Sequence, residues 1–267
     1  MEELTDVRYE VESGLGWITI DRPDRMNAFR ARTVDELIHC FKRAWASREV
    51  GVLCLTGAGD RAFCTGGDQK QRAETGDYGP SESGLFEVEY MHRLIREVPK
   101  PVIAAVNGYA IGGGHVLHLL CDLTIAAEGA RFGQTGPRVG SFDAGFGSAY
   151  MARVVGEKRA REIWFLCRQY DAHTAERWGL VNRVVPGEEL RAEVRRWADE
   201  ILALSPTALR FLKQSFNADS EQIAGIGQLA FSGLDLFVET EEAAEGVHAF
   251  AEKRAPDYAP YRARASA

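Results

Sequence analysis

Polar and apolar residues alternate in two short runs near the start of the chain, Arg8-Tyr9-Glu10-Val11-Glu12 and Gly16-Trp17-Ile18-Thr19-Ile20, and then the period changes. The two-residue repeat predicts a β-hairpin closed near Ser13-Gly14, with Pro23 ending the second strand. Over residues 33–46, Val34, Leu37, Ile38, Phe41 and Ala44 recur at helical spacing. Continuous apolar runs at residues 50–56, 102–106 and 123–127 read as buried strands, with a helix over residues 114–120 between the last two. This alternation predicts an α/β core with right-handed crossovers, in which loops at one end of the strands assemble a site. Helical patterns dominate after about Gly156, and residues 71–85, polar and turn-rich, predict a mobile loop. Residues 205–253 carry Leu209, Phe211, Leu212, Ile223, Ile226, Leu229, Leu234, Leu236 and Phe237 in a helical pattern. That is more apolar surface than an isolated helix pair hides, which predicts packing on the core or on a neighbouring subunit.

With 267 residues and 45% hydrophobic composition, the chain can bury a large core as one domain, or as a domain with a smaller helical extension. A net charge of -7 argues against nucleic acid as the main partner and leaves room for a basic pocket around one anionic ligand. Cys40, Cys54, Cys64, Cys121 and Cys167 are scattered, odd in number and without CxxC spacing, so neither a disulfide framework nor a zinc site is predicted. A reducing cytoplasm fits this usage. The acidic start, Met1-Glu2-Glu3-Leu4-Thr5-Asp6, and the shortness of the apolar runs predict neither a targeting segment nor a membrane span. No GxGxxG strand and helix unit or Walker-type loop is visible, so nicotinamide and ATP roles lack support.

Candidate chemistry gathers in three segments rich in glycine: Gly66-Gly67-Asp68, Gly112-Gly113-Gly114, and the stretch from Phe132 to Asp143. Missing side chains let backbone N–H groups approach a ligand closely. Two N–H groups from separate turns can clamp one oxygen, and such an oxyanion hole is worth roughly 3 kcal/mol per donor at a transition state. Each glycine run taken alone reads equally as a tight turn. Asp143 alone reads as a turn cap, Ser141 as a local backbone hydrogen bond, and Trp164 as core packing. Lys70 and Arg72 are by default solvated loop charges. His115 and His118 share one helix face without a third ligand, which favours packing over a metal.

The signposts Asp21-Arg22-Pro23, Asn27-Ala28-Phe29, Ala62-Phe63-Cys64-Thr65-Gly66-Gly67-Asp68, Pro99-Lys100-Pro101-Val102-Ile103-Ala104, Gly108-Tyr109-Ala110-Ile111-Gly112-Gly113-Gly114 and Cys121-Asp122-Leu123 resemble the enoyl-CoA hydratase (crotonase) superfamily over nearly the whole chain. The resemblance implies a crotonase, ClpP-like α/β spiral of ββα repeats over residues 1–204. It also implies a C-terminal helical region, residues 205–267, that serves trimerisation and active-site closure, with a homotrimer or a hexamer built from two trimers. By analogy Gly67 and Gly113 would donate the oxyanion-hole N–H groups to an acyl-CoA thioester oxygen. Thr65 and Gly66, with Asp68, Gln69 and Tyr109, would line the path of the CoA chain. Arg25 would stand near the phosphates, and Lys253 would reach across from a neighbouring helix.

The departures from the hydratase pattern decide the expected reaction. Where hydratases carry two catalytic glutamates, this chain has Val116 and Gly136, so simple hydration lacks its acid and base. The motifs Gly67-Asp68-Gln69-Lys70, Gln134-Thr135-Gly136-Pro137, Gly140-Ser141-Phe142-Asp143 and Trp164-Phe165-Leu166-Cys167 are similar to the 1,4-dihydroxy-2-naphthoyl-CoA synthase branch of menaquinone biosynthesis. That resemblance implies bicarbonate as the catalytic base, with Gln134, Thr135, Gly136 and Trp164 around it. Asp143 would handle protons at a second carbonyl, Ser141 would orient it, and Lys70 and Arg72 would meet an anionic part of the substrate. The chain also resembles the ring-opening 2-ketocyclohexanecarboxyl-CoA hydrolase in Arg25-Met26-Asn27-Ala28-Phe29-Arg30 and Ser205-Pro206-Thr207-Ala208-Leu209. Both relatives carry a tyrosine where this chain has Val238, and Tyr78 is the candidate substitute hydroxyl. A plain acyl-CoA thioesterase and a non-catalytic acyl-CoA binder remain open beside these.

Overall fold

The computed structural model describes residues 4–262; Met1 to Glu3 of the acidic start and residues 263–267 of the C-terminal region lie outside the described residues. Strands β1 (Val7–Glu12) and β2 (Leu15–Ile20) form the expected hairpin. Its two turn residues, Ser13 and Gly14, have φ of 45° and 83°, the left-handed pair whose twist matches that of the flanking strands. Helix α1 (Ala31–Ala46) then buries Val34, Leu37 and Phe41 on its inner face. Asn27 fixes the intervening loop: its amide donates to the carbonyls of Ala58 and Ala62, at 3.0 and 2.7 Å, and its oxygen accepts from the Arg22 N–H.

The chain then repeats one unit. Strands β3 (Val52–Gly57) and β4 (Ala62–Cys64) are followed by helices α2 (Gln69–Thr75) and α3 (Val88–Glu97). Strands β5 (Val102–Val106) and β6 (Tyr109–Ile111) are followed by α4 (Gly113–Leu120), and β7 (Leu123–Ala127) leads to β8 (Arg131–Gly133). Within each repeat the two strands go to different sheets. One sheet has the order β1-β2-β3-β5-β7-β10 and the other β4-β6-β8-β9, where β9 is Gln169–Asp171 and β10 is Arg183–Val185. The result is the ββα spiral that the resemblance implies.

Alternation within the central strands explains the layers. Leu15, Trp17, Val52, Cys54, Ile103, Ala105 and Ile125 pack against Leu190, Val194 and Ala198 of helix α8 (Leu190–Leu202). Residues of opposite parity, including Ile18, Leu53, Leu55, Val102 and Ala104, join the main core with Phe63, Phe132, Val116 and Leu117. Strands buried on both faces read as unbroken apolar runs, which is why they were legible. The sequence pattern does not predict β4, β6, β8, β9 or β10: three residues each are too few to show a period.

Between β8 and α8 lie α5 (Met151–Val155), α6 (Glu157–Leu166) and α7 (Ala172–Arg177). The C-terminal region is three helices, α9 (Pro206–Ala218), α10 (Gln222–Phe237) and α11 (Glu241–Ala251). Buried Lys213 ties α9 to the core, its ammonium donating to the Ile95 and Lys100 carbonyls at 3.1 and 3.0 Å and meeting the Asp122 carboxylate at 2.7 Å. Much of the predicted apolar surface stays uncovered within the chain: Phe211, Phe216, Leu229 and Leu236 are all more than 60% exposed.

One expectation is corrected here. The first part of residues 71–85 is the helix α2, capped by the Asp68 carboxylate accepting from the Gln71 N–H at 3.2 Å and stopped by Gly76 at φ 85°. Polarity hid it because its apolar content is low and its end is set by a single left-handed glycine. The five cysteines are buried and free. His115 and His118 pack edge-on to Phe132, and among the described residues no group of three or more His, Cys, Asp or Glu is placed to hold a metal. No described helix is long and apolar enough to cross a membrane.

Candidate active site

Because β4, β6 and β8 run parallel as neighbours, the loops leaving their carboxyl ends emerge on one side. These loops are residues 65–68, residues 112–113 and residues 134–143, the three glycine-rich segments. They line a cavity of about 870 Å³. Gly66 and Gly112 take φ of 80° and 57°, conformations that a side chain resists. Their loops touch: a methyl group built on Gly66 would lie 2.9 Å from the Gly113 nitrogen, and one on Gly114 would collide with the Cys64 carbonyl.

Gly67 forms an isolated parallel bridge with Phe29, in which the Phe29 N–H donates to the Gly66 carbonyl and the Asp68 N–H donates to the Phe29 carbonyl. That pattern uses the groups flanking Gly67 and directs its own N–H away from Phe29. Gly113 is the first residue of α4, where an N–H has no carbonyl one turn back to reach. Two amide donors thus border one cavity, with the positive end of the α4 dipole behind them. Two donors from separate turns beside one cavity are the arrangement that an oxyanion hole requires.

The third loop carries the acid. Asp143 and Ser141 line the cavity, and burial pushes the Asp143 carboxyl up to about 7, against the opposing pull of the Gly147 N–H 3.2 Å away. A single π-helical turn, residues 146–150, follows. Trp164 donates its indole N–H to the Gly147 carbonyl at 2.6 Å, so one residue, Gly147, braces both Trp164 and Asp143. The loop is clamped from the C-terminal side: a methyl group on Gly140 would strike the Ala243 carbonyl of α11, and one on Gly145 would lie 2.6 Å from Gly227 of α10.

Around the implied anion position, the Gln134 amide nitrogen is buried without a hydrogen-bond partner, Thr135 lines the cavity, and Gly136 leaves no side chain. A Cβ at Gly136 would lie 2.7 Å from the Ser141 carbonyl and 3.1 Å from the Trp164 ring. Tyr78 covers Gly67: its ring stacks on Phe86 with centroids 4.6 Å apart, and its hydroxyl accepts from the Gln69 amide at 3.2 Å. Arg25, Thr65, Lys70 and Tyr109 also line the cavity. Asp68 is buried, pairing with Arg22 at 3.0 Å and Arg25 at 4.0 Å while it caps α2.

Two candidate residues are not brought to the cavity wall. Arg72 is buried on α2, which packs against α11, and exposed Lys253 follows α11. Arg254, one residue on, lines the cavity instead, and so does Arg138. Sequence reasoning also missed His92 of α3 and Phe231 and Leu234 of α10, which complete the wall. Their spacing gives only helix periodicity, and nothing local marks which face meets the cavity. Val238 ends α10, with Phe237 packed on Phe142 at 5.7 Å.

Fold and site together define an acyl-CoA enzyme of the crotonase superfamily. The sequence pattern of the enoyl-CoA hydratase/isomerase family matches residues 10–260, and the chain belongs to that family. Among solved structures it is similar to an enoyl-CoA hydratase from Mycobacterium avium subsp. paratuberculosis K-10, with 28% identity over 96% of this chain and 99% of that one, and a TM-score of 0.85. It is similar to a carnitinyl-CoA hydratase from Mycobacterium avium at 30% identity, covering 96% and 98%, with a TM-score of 0.84. An enoyl-CoA hydratase from Bacillus anthracis matches at 30% identity, covering 95% and 99%, with a TM-score of 0.74.

Proposed function

We propose that this enzyme makes a carbon–carbon bond through a thioester enolate, in a Dieckmann-type ring closure like that of 1,4-dihydroxy-2-naphthoyl-CoA synthase. The observation that carries the reading is the pairing of an oxyanion hole with a single raised carboxyl, Asp143, while the two hydratase glutamate positions hold buried Val116 and side-chain-free Gly136. Hydration needs an acid and a base disposed about one double bond, and that pair is missing.

In the proposed reaction the Gly67 and Gly113 N–H groups donate to the thioester oxygen as the α proton leaves and its electron pair moves onto that oxygen. The enolate carbon then forms a bond to a second carbonyl carbon of the same substrate. The displaced π pair takes the proton held by Asp143, and the geminal diol left when that second carbonyl is a carboxyl group loses water to restore a carbonyl in the closed ring. One feature fits a small planar anion near Gly136: the buried, unpartnered Gln134 amide beside the cavity offers it a donor. Bicarbonate bound there would supply the base for the α proton. Trp164 contributes a wall, because its N–H is already committed to Gly147. Tyr78, over the hole, supplies the hydroxyl nearest the thioester, and Arg25, Lys70 and Arg254 suit the phosphates of CoA or an anionic acyl group.

The same groups run in reverse would open a ring, with Asp143 taking a proton from attacking water, as in 2-ketocyclohexanecarboxyl-CoA hydrolase. Mass spectrometry separates the outcomes. With o-succinylbenzoyl-CoA, loss of one water that depends on added bicarbonate is the expected result. Gain of one water by 2-oxocyclohexanecarboxyl-CoA with the thioester retained would replace closure by opening. Release of free CoA alone would make the protein a thioesterase, and no product from any thioester it binds would make it a binder; either would sink the reading.

The uncovered apolar face of α9 and α10 supports assembly as a trimer, or as a hexamer of two trimers. Light scattering is expected to give three or six times the chain mass of 29.5 kDa. Phe216→Asp together with Leu229→Asp is expected to yield monomer. A monomeric wild-type protein would refute this assembly.

A further inference from the structure

The wall formed by α3 and α10 holds a group that the proposed chemistry leaves unused. His92, on α3, is 1% exposed and lines the cavity, yet neither ring nitrogen has a hydrogen-bond partner. Its neighbours on that wall are apolar: Val88 lies one turn earlier on α3, and the Phe231 ring of α10 is 6.1 Å away. Helix α10 also packs against both α3 and the π-helical turn that anchors Asp143, so His92 and Asp143 line one cavity beside the same helix. Leaving a buried polar group unpaired costs roughly as much as a lost hydrogen bond, and a leucine would fill the same wall without that cost. The two other buried imidazoles, His115 and His118, do not line the cavity, so His92 is the one placed to meet a ligand.

We propose that His92 is a specificity residue whose ring N–H donates to an oxygen on the acyl group, so that the site selects oxo- or carboxyl-bearing acyl-CoA thioesters over plain hydrocarbon ones. The inference rests on the acyl-CoA reading and deepens it by naming the class of acyl group. Burial holds the imidazole neutral, its pKa pushed down to about 4, so it offers one donor and one acceptor across the physiological range. A neutral donor suits both a ketone and a carboxylate oxygen. In an apolar wall it also penalises an alkyl acyl group, which would leave the ring nitrogens unpaired.

Two matched pairs of thioesters that differ by one oxygen function test this: 2-oxocyclohexanecarboxyl-CoA with cyclohexanecarboxyl-CoA, and o-succinylbenzoyl-CoA with its analogue lacking the benzoate carboxyl. Binding is measured by calorimetry on the full chain carrying Asp143→Asn, a common low-turnover background for all comparisons. The expected result is that the oxygen-bearing member of at least one pair binds about tenfold more tightly, the scale of one neutral hydrogen bond. His92→Leu is expected to abolish that preference with unchanged or tighter binding of the hydrocarbon member, and His92→Gln to retain most of it. A merely structural histidine would lower Tm in both variants and leave the preference intact, which overturns the proposal. Equal binding of both members of each pair by the His92 protein overturns it as well. The carbon–carbon reading is judged separately by the products of the wild-type enzyme, so either can fail without the other.

Discussion

Asp143→Asn is expected to lower kcat/KM for carbon–carbon bond formation by about 10³-fold, within the span of roughly 10²–10⁴ seen for a positioned proton donor. Asparagine keeps the size and the acceptor oxygen that meets the Gly147 N–H, so the loop and the binding of thioester should change little. The pH profile carries the sign. With the free-enzyme carboxyl at about 7, ring closure uses the protonated form, and kcat/KM should fall tenfold per pH unit above that value. Ring opening uses the carboxylate as base, and the limb should fall below it instead. Either limb should vanish in the variant. The raised pKa also has a stability consequence: the folded state holds this proton more tightly than the unfolded chain, so its favourable contribution is present at low pH and lost as pH rises through about 7. Asp143→Asn should therefore raise Tm at pH 8 relative to wild type and do so less at pH 5. A variant with more than a tenth of wild-type activity and an unchanged limb would remove Asp143 from the chemistry.

Gly66→Ala is the second large effect. The alanine would have to keep φ near 80° with its methyl group 2.9 Å from the Gly113 nitrogen, where backbone rather than a flexible side chain stands in the way. Relief requires the two loops to part, which pulls one donor off the thioester oxygen. Loss of one such donor typically costs about 10²–10³ in rate. The strain of the left-handed backbone is separated from the collision by Gly156→Ala, at φ 82° with open space around it and not part of the cavity lining. That control is expected to lose stability by about 1 kcal/mol and keep its activity. Steady-state kinetics and thermal melts on both variants decide the matter; equal activity in the two would show that the contact between the glycine loops does not position the donors.

What the sequence determined was local. The period-two runs of β1 and β2, the left-handed Ser13-Gly14 pair, the inner face of α1 and the unbroken apolar strands each follow from side-chain alternation within one element. The glycine positions of the three site loops were legible too, because close backbone approach leaves a compositional trace in a few adjacent residues. Tertiary structure alone decided the rest. It gave Asp68 to the cap of α2 and to Arg22, turned Arg72 away from the cavity, and set Arg254 rather than Lys253 on its wall. It also brought His92, Phe231 and Leu234 into one surface with Asp143, from segments far apart in the chain. A helix repeats its pattern on every face that is buried, whether by core or by ligand. Periodicity therefore announces that a face is covered, and only the packing of distant elements says what covers it.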